Sequence, residues 1–369
     1  MVARAEDIAD EIFKFLAEVV ISGRQIVGLV LNADQRADVV RRVGELKGAT
    51  GTAVFRPERE NLILERAASL SRNFDGPAVK AIFREIISSC RALERTTTVA
   101  YLGPAGTFSE MAVLRQFGSS VEARPCSTIA DVFRMTENSR TDFGVVPVEN
   151  STQGTVAVTL DLLLDTSLTI VGEVSIPIIH NLLTRSGDLS KVKTVMAHPQ
   201  ALAQCREWLS THLPGARQVS CSSNAEGARI ASEDDSVGAI ASHRAAELYQ
   251  LGIAGEGIQD WAGNRTRFLV LGHHPTHRSP EPGKDKTTFE FSMVNKAGAL
   301  FEGLEPLARH GVSMTHLESR PARNGAWEYN FFVDVEGHIE DEAVKKALTE
   351  IKAETAVFKF LGSYPKALD

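Results

Sequence analysis

The sequence predicts a multidomain chain: an all-α first unit, a central open α/β unit and a small ferredoxin-like α+β third unit. Three observations carry that expectation. Apolar residues recur at three- and four-residue intervals before residue 95, with no strand pattern of any length. From Val99 onward, short β-like runs alternate with helical ones. After residue 287 the order of elements reads β-α-β-β-α-β. The 369 residues also exceed what one hydrophobic core comfortably holds.

In the first unit, 5–95, the clearest stripe is Val79, Ile82, Phe83, Ile86, Ile87, Cys90 and Leu93, on a helix starting near Pro77. A second stripe runs through Val39, Val40, Val43 and Leu46, and a third segment carries Leu62, Leu64, Ala68 and Leu70; 48–51 is the turn between them. In the middle unit, 98–272, strands are expected at 99–102, 143–148, 168–171, 192–197, 237–241 and 267–271, with helices at 109–117, 201–210 and 225–231. Such an alternation binds ligands beyond the strand ends. Residues 273–286 are polar and proline-rich and read as a linker. In the third unit, 287–363, Phe289, Phe291 and Met293 alternate and Leu300, Leu304 and Leu307 recur helically. Tyr329, Phe331, Val333 and Val335 alternate again, a helix covers 341–351, and a strand closes the unit at 356–361.

The bulk properties exclude several function classes. A net charge of -7 disfavours a nucleic-acid or anionic-membrane surface. The N-terminus, with Glu6, Asp7, Asp10 and Glu11, lacks the pattern of a secretory signal, and no apolar run approaches a membrane span, so the cytoplasm is the expected compartment. Cys90, Cys126, Cys205 and Cys221 are scattered without metal-ligand spacing and are expected to be reduced. Gly103, Pro104, Ala105 and Gly106 interrupt the glycine spacing of a dinucleotide turn. His273, His274 and His277 have no nearby cysteines and fit a solvated linker better than a metal site. Neither a metal nor an organic cofactor is expected.

Five phrases of the middle unit place small or polar residues at the ends of apolar runs: YLGPAGTFSE (101–110), PVENSTQGTV (147–156), HPQALAQC (198–205), SSNAEGARIA (222–231) and NRTRFLV (264–270). In this order they resemble the prephenate dehydratases and, over the full length, the bifunctional chorismate mutase–prephenate dehydratases. The resemblance implies a two-lobed fold like that of solute-binding proteins, with prephenate in the cleft. Loss of the ring carboxylate pushes out the C4 hydroxyl as the ring aromatises. That chemistry calls for a proton donor at the departing oxygen, donors for the side-chain carboxylate, and a fairly dry site. The family's TRF triplet places the donor role on Thr266. Asn150, Ser151, Thr155 and Gln204 match polar positions of the substrate site. Arg267 offers a planar fork for a carboxylate or for a structural ion pair. Glu149 suits orienting a neighbour or capping a turn, and His198 is a weaker candidate. Ala197 stands where the family often has serine.

Residues 36–94 are similar to the all-helical chorismate mutases, which stabilise a developing ether oxyanion with cationic side chains. Arg36, Lys47, Glu58 and Glu94 match their site positions, whereas Val19 stands where a further arginine is common. Two readings follow, a working mutase or a helical dimerisation module attached to a dehydratase. The third unit resembles the ACT domain. Gly298, Ala299 and Leu300 in NKAGAL, and Glu318, Ser319 and Arg320 in ESRP, are its expected phenylalanine-binding positions, the alternative being a domain that only pairs subunits. The implied partners are prephenate, chorismate, phenylalanine and a second copy of the chain in a symmetric homo-oligomer.

Overall fold

The computed structural model describes residues 37–41, 55–293, 296–321 and 329–368. Val19, Arg36, Lys47 and the expected turn at 48–51 lie outside these residues. The first described unit is a helical hairpin, Pro57–Leu70 and Gly76–Glu94. Proline in the first turn suits each helix, and the Asp75 carboxylate accepts the Ala78 N–H to cap the second. Val79 and Phe83 pack on Leu64 and Ala67. The hairpin also docks on the α/β unit: buried Arg91 pairs with Glu60 at 2.7 Å, donates to the Phe117 carbonyl, and stacks over the Phe55 and Phe117 rings. Gly118, at φ +75°, lies so close to Ser88 that no side chain would fit.

The central unit has two lobes. The first opens with strands β1 (Thr98–Leu102), β2 (Glu122–Cys126), β3 (Phe143–Asn150), β4 (Gly154–Thr155) and β5 (Thr169–Pro177). The chain then crosses to the second lobe for β6 (Asn181–Thr184), β7 (Thr194–Ala197), β8 (Arg217–Ser220), β9 (Val237–Ala241) and β10 (Gly252–Gly255). It returns with β11 (Arg265–Gly272), which inserts antiparallel between β3 and β5. The sheet orders are β2-β1-β3-β11-β5 and β10-β6-β9-β7-β8. The expected helix at 201–210 is divided at Cys205 into Pro199–Gln204 and Arg206–His212.

The third unit follows the expected order: β12 (Asp285–Ser292), helix Ala299–Arg309, β13 (Met314–Pro321), β14 (Tyr329–Glu336), helix Glu342–Glu354 and β15 (Val357–Pro365). Its sheet runs β13-β14-β12-β15, with Phe289, Phe291, Val333 and Val335 packed on Val344, Leu348 and Ile351 of the second helix. Strand β15 lies against β5 of the first lobe, with Gly362 pressed on the Ile170 backbone and the Thr169 hydroxyl donating to the Leu361 carbonyl at 2.9 Å. The segment between β11 and β12 is no loose linker. His273 meets the Thr136 carbonyl at 2.8 Å, Thr276 donates to the Ser363 carbonyl at 2.6 Å, and Arg278 pairs with Asp341 at 2.7 Å.

Candidate active site in the cleft between the lobes

A cavity of about 770 Å³ opens between the two sheets, where the chain crosses from lobe to lobe. Its walls are the β1 turn and the start of helix Phe108–Phe117, the end of β3, the start of β11, and in the second lobe the short helix Pro199–Gln204 with His198 before it and the start of helix Asn224–Glu233. The cavity surface is more apolar than polar, with Phe108, Pro147, Val156, Ile178 and Phe268 among the walls; its polar groups are mostly hydroxyls and amides, including Thr107, Ser109, Asn150, Gln204, Ser223, Asn224 and Thr266, with one carboxylate, Glu226. No lysine or arginine lines it among the described residues. Two helices of ten residues start at the wall, capped by Thr107 and Ser223, so unpaired backbone N–H groups and the positive ends of two dipoles face the cavity.

The first-lobe wall is organised by Asn150. Its Oδ1 accepts from Thr152 N (3.1 Å), Thr152 Oγ1 (2.6 Å) and Gln153 N (3.2 Å), which fixes the amide orientation. Its Nδ2 therefore points at Asn264 Oδ1 (2.9 Å) and Thr266 Oγ1 (2.8 Å). Asn150 and Thr266 are register partners on β3 and β11, and both are 8% exposed. The network continues across the cleft: Gln204 Nε2 donates to Thr152 Oγ1 at 3.2 Å, and Gln204 Oε1 accepts from His180 Nε2 at 2.8 Å. That bond places the imidazole proton on Nε2 and leaves buried Nδ1 without a partner in the described structure. Burial pushes the His180 pKa down, with the Gln204 bond opposing, so the ring is neutral near pH 7.

Of the expected dehydratase positions, Thr266, Asn150 and Gln204 come together at the cavity. Ser151 and Thr155 do not line it. Ser151 braces the wall, accepting from Arg265 N at 2.9 Å, and Thr155 pairs with Glu149 in the β3–β4 ladder. Arg267 requires a correction. Side chains alternate along a strand, and Arg267 is turned to the face opposite Thr266, where it meets Glu173 at 2.7 Å and Asp334 of the third unit at 2.6 Å. It is a structural ion-pair residue. Glu149 shares that outer face and lies 3.9 Å from His316. His198 lines the cavity and accepts from Gln200 N. Ala197 is fully buried in the second lobe's core, behind the wall. His180 and Asn264 were absent from the expected set. Asn264 begins the NRTRFLV phrase, but His180 follows an unremarkable apolar stretch and only the crossing geometry reveals it.

In the helical hairpin, the Glu60–Arg91 pair brings the start of one helix beside the end of the other, so Glu58 and Glu94 share one end. Glu58 is 3% exposed and pairs with Arg56 at 2.7 Å. In the third unit Gly298, at φ +82°, opens the helix that Ala299 and Leu300 begin. Glu318 and Arg320 share one face of edge strand β13, and Ser319 points the other way. Arg320 grips Asp161 of the first lobe through two bonds of 3.1 and 3.0 Å, so in this chain its fork is turned to a side chain of the dehydratase lobe.

Family profiles match the chain in three consecutive pieces: chorismate mutase type II over residues 25–95, prephenate dehydratase over 99–276 and the ACT domain over 287–353. The bifunctional chorismate mutase/prephenate dehydratase of Neisseria gonorrhoeae is 46% identical over 339 residues, covering 91% of this chain and 92% of that protein. That of Aquifex aeolicus is 45% identical over 341 residues, covering 91% and 93%. The chain belongs to the bifunctional chorismate mutase/prephenate dehydratases. Its activities are those of that family, an isomerase step from chorismate to prephenate and a lyase step from prephenate to phenylpyruvate. Among solved structures, a prephenate dehydratase from Arthrobacter aurescens in complex with L-Phe superposes with a TM-score of 0.68 at 34% identity, covering 73% of this chain and 90% of that one. No helix among the described residues is long and apolar enough to cross a membrane.

Proposed function

We propose that prephenate binds in the inter-lobe cleft with its C4 hydroxyl against Thr266, whose O–H is the proton donor of the dehydration. The observation that carries this reading is the direction of the 2.8 Å bond between Asn150 and Thr266. Because the Asn150 amide donates to Thr266 Oγ1, the threonine proton is free to point into the cavity. The C1–carboxylate bond breaks and its electrons enter the ring as carbon dioxide leaves. The C4–O bond breaks in the same event, and the departing oxygen takes the Thr266 proton to leave as water. The Asn150 N–H stabilises the charge that develops on Oγ1, and solvent returns a proton afterwards. The substrate carboxylates are held by the hydroxyls and helix-start N–H groups of Thr107–Ser109 and Ser222–Asn224, in keeping with a wall that lacks cationic side chains. Thr266→Ala is expected to lower kcat by about 10² or more, the usual contribution of a positioned proton donor, while Thr266→Ser stays within about tenfold. Phenylpyruvate formation at saturating prephenate, with circular dichroism as the control, tests this. Near-parental turnover in folded Thr266→Ala would sink the assignment.

The third domain is read as the site where phenylalanine acts on the dehydratase, at an interface between copies of the chain. Support comes from the ACT match and from the L-Phe complex of the Arthrobacter relative. Gly298 adopts a positive φ with open space where a side chain would project, so valine there meets no neighbour but strains the turn that opens the helix. Calorimetric titration of phenylalanine into the full chain should show binding that Gly298→Val weakens, together with inhibition and a larger assembly on sedimentation. Absence of binding to the parent would end this reading. For the first domain, Glu58 and Glu94 are assigned to the mutase site with Arg36 and Lys47, and prephenate formation from chorismate at the parental rate in folded Glu94→Ala would remove Glu94 from it.

A further inference from the structure

Thr266 and Arg267 are neighbours on β11 that face opposite ways, one to the cleft and one to the C-terminal domain. Arg267 spends all three guanidinium nitrogens there. Nε meets Glu173 at 2.7 Å, Nη1 meets Asp334 at 2.6 Å, and Nη2 donates to the Tyr364 hydroxyl at 3.1 Å. Glu173, on β5, is also held by Lys286 at 2.9 and 3.0 Å and by the Ala367 N–H at 3.2 Å. Thr288 ties Asp334 and Tyr364 together at 2.6 Å each. The cluster balances two cations against two carboxylates and is nearly dry, with side-chain exposures of 17% for Arg267, 15% for Lys286 and 5% for each acid. It joins two strands of the dehydratase lobe to three of the C-terminal domain, β12, β14 and β15. Burying four charges is costly unless each is met in one geometry, so the cluster holds Arg267 in a single place.

The strand needs that hold. Its ladder with β3 slips register between Arg267 and Phe268, where Phe268 pairs with Pro147, which has no N–H to offer. On the β3 side the Thr266–Arg267 end is thus separated from the regular ladder by an irregularity one residue away, and its unbroken pairing over Arg265–Val270 is with β5, the strand that carries Glu173 and is itself held by the cluster.

We infer that Arg267 is a positioning residue for the dehydration, through which the C-terminal domain fixes Thr266 against the cleft. The inference rests on the assignment of Thr266 as proton donor. A donor displaced by about an ångström loses much of its rate while the groups that bind substrate stay in place. The cluster therefore governs kcat and leaves KM alone, and a change in packing of the C-terminal sheet reaches the reacting hydroxyl in one residue step.

The test uses the full chain and compares Arg267→Gln, Arg267→Lys and Tyr364→Phe with the parent and with Thr266→Ala. Arg267→Gln is expected to lower kcat about thirtyfold with KM for prephenate within about twofold, and Arg267→Lys to recover part of that loss. Tyr364→Phe, which removes one buried oxygen far from substrate, is expected to lower kcat about threefold. In a Thr266→Ala background, Arg267→Gln should alter the residual rate by less than about twofold, since no donor remains to be placed. Parental kcat in folded Arg267→Gln or in Tyr364→Phe overturns the inference, as does a rise in KM alone or an equal loss in the Thr266→Ala background. If Arg267→Gln fails to fold, Tyr364→Phe decides. Parental turnover in Thr266→Ala brings down the assignment of Thr266 and this inference with it. A slow Thr266→Ala beside a parental Arg267→Gln brings down this inference alone.

Discussion

At His180 the chain places an uncharged ring in the wall of the inter-lobe cleft, and the ring's one polar duty among the described residues is to hold Gln204. The imidazole donates to Gln204 Oε1, which turns the amide so that its N–H₂ spans the cleft to Thr152. Truncating His180 to alanine frees the Gln204 amide and opens a small void beside Phe108, whose ring lies 5.6 Å away edge-on. The expected result is a KM for prephenate raised about tenfold, the equivalent of one hydrogen bond at about 1.4 kcal/mol, with a smaller effect on kcat. Because the two side chains act as a unit, the double variant with Gln204→Ala should bind prephenate no worse than Gln204→Ala alone. Additive losses in steady-state kinetics would show that His180 touches substrate directly. Neutrality matters to this arrangement: a charged His180 would need a partner at Nδ1, and the described structure offers none.

Long apolar runs were legible in the sequence as strands, whereas the short buried strand β6 (NLLT) and the core helices Ile129–Glu137 and Ala157–Asp165 were not, although they too fill the interior. The apolar runs at 143–148, 237–241 and 267–271 are central strands buried on both faces, and their composition announces them. Edge strands β2 (EARPC), β8 (RQVS) and β10 (GIAG) carry no such signature, because an edge needs no apolar run. The site was legible in the same uneven way. Phrases fixed which loops meet, but the outward turn of Arg267 depends on strand phase, which TRF alone does not reveal. The pairing of β12 with β15 shows a second effect hidden from composition. Glu290 and Lys359 are register partners, and Lys359 reaches past its neighbour to the carbonyls of Leu163, Leu164 and Thr166 at the end of the first-lobe helix Ala157–Asp165. Left 2% exposed, Glu290 has its pKa pushed up by burial to about 7, against the pull of Lys359. A carboxyl raised in the folded state binds its proton more tightly there than in the unfolded chain. Stability therefore falls as pH rises from about 4.5 to about 7 and stays lower above that. Glu290→Gln removes this loss: at pH 8 it should be more stable than the parent by on the order of 3 kcal/mol, and near pH 4.5 the two should converge. Denaturant titrations at the two pH values check the sign, and an equal difference at both would refute it.

Across the whole molecule, every bond described here between the central unit and its neighbours ends on the first lobe. The helical hairpin grips Phe117, and the C-terminal sheet grips Thr169, Glu173, Asp161 and Arg267. The second lobe is an excursion of the chain between β5 and β11. It touches the first through the two crossings and a few bonds at the cleft: Ser242 to the Gly106 carbonyl at 2.7 Å, Arg244 to Glu110 at 3.3 Å, and Gln204 to Thr152 at 3.2 Å. The protein is therefore built as a fixed jaw and a free one. All of the groups that the other two domains bond to here belong to the fixed jaw, and so does the Thr266 hydroxyl. The second lobe is tied to the first by a handful of side-chain bonds, Asn264 to Gln204 at 3.4 Å among them, and by the packing of Gly106 on Ala245 and Ala225, with no described bond to the other two domains. If prephenate binds in the cleft as proposed, entry and escape ask movement only of the second lobe, while β11 stays clamped by the C-terminal sheet.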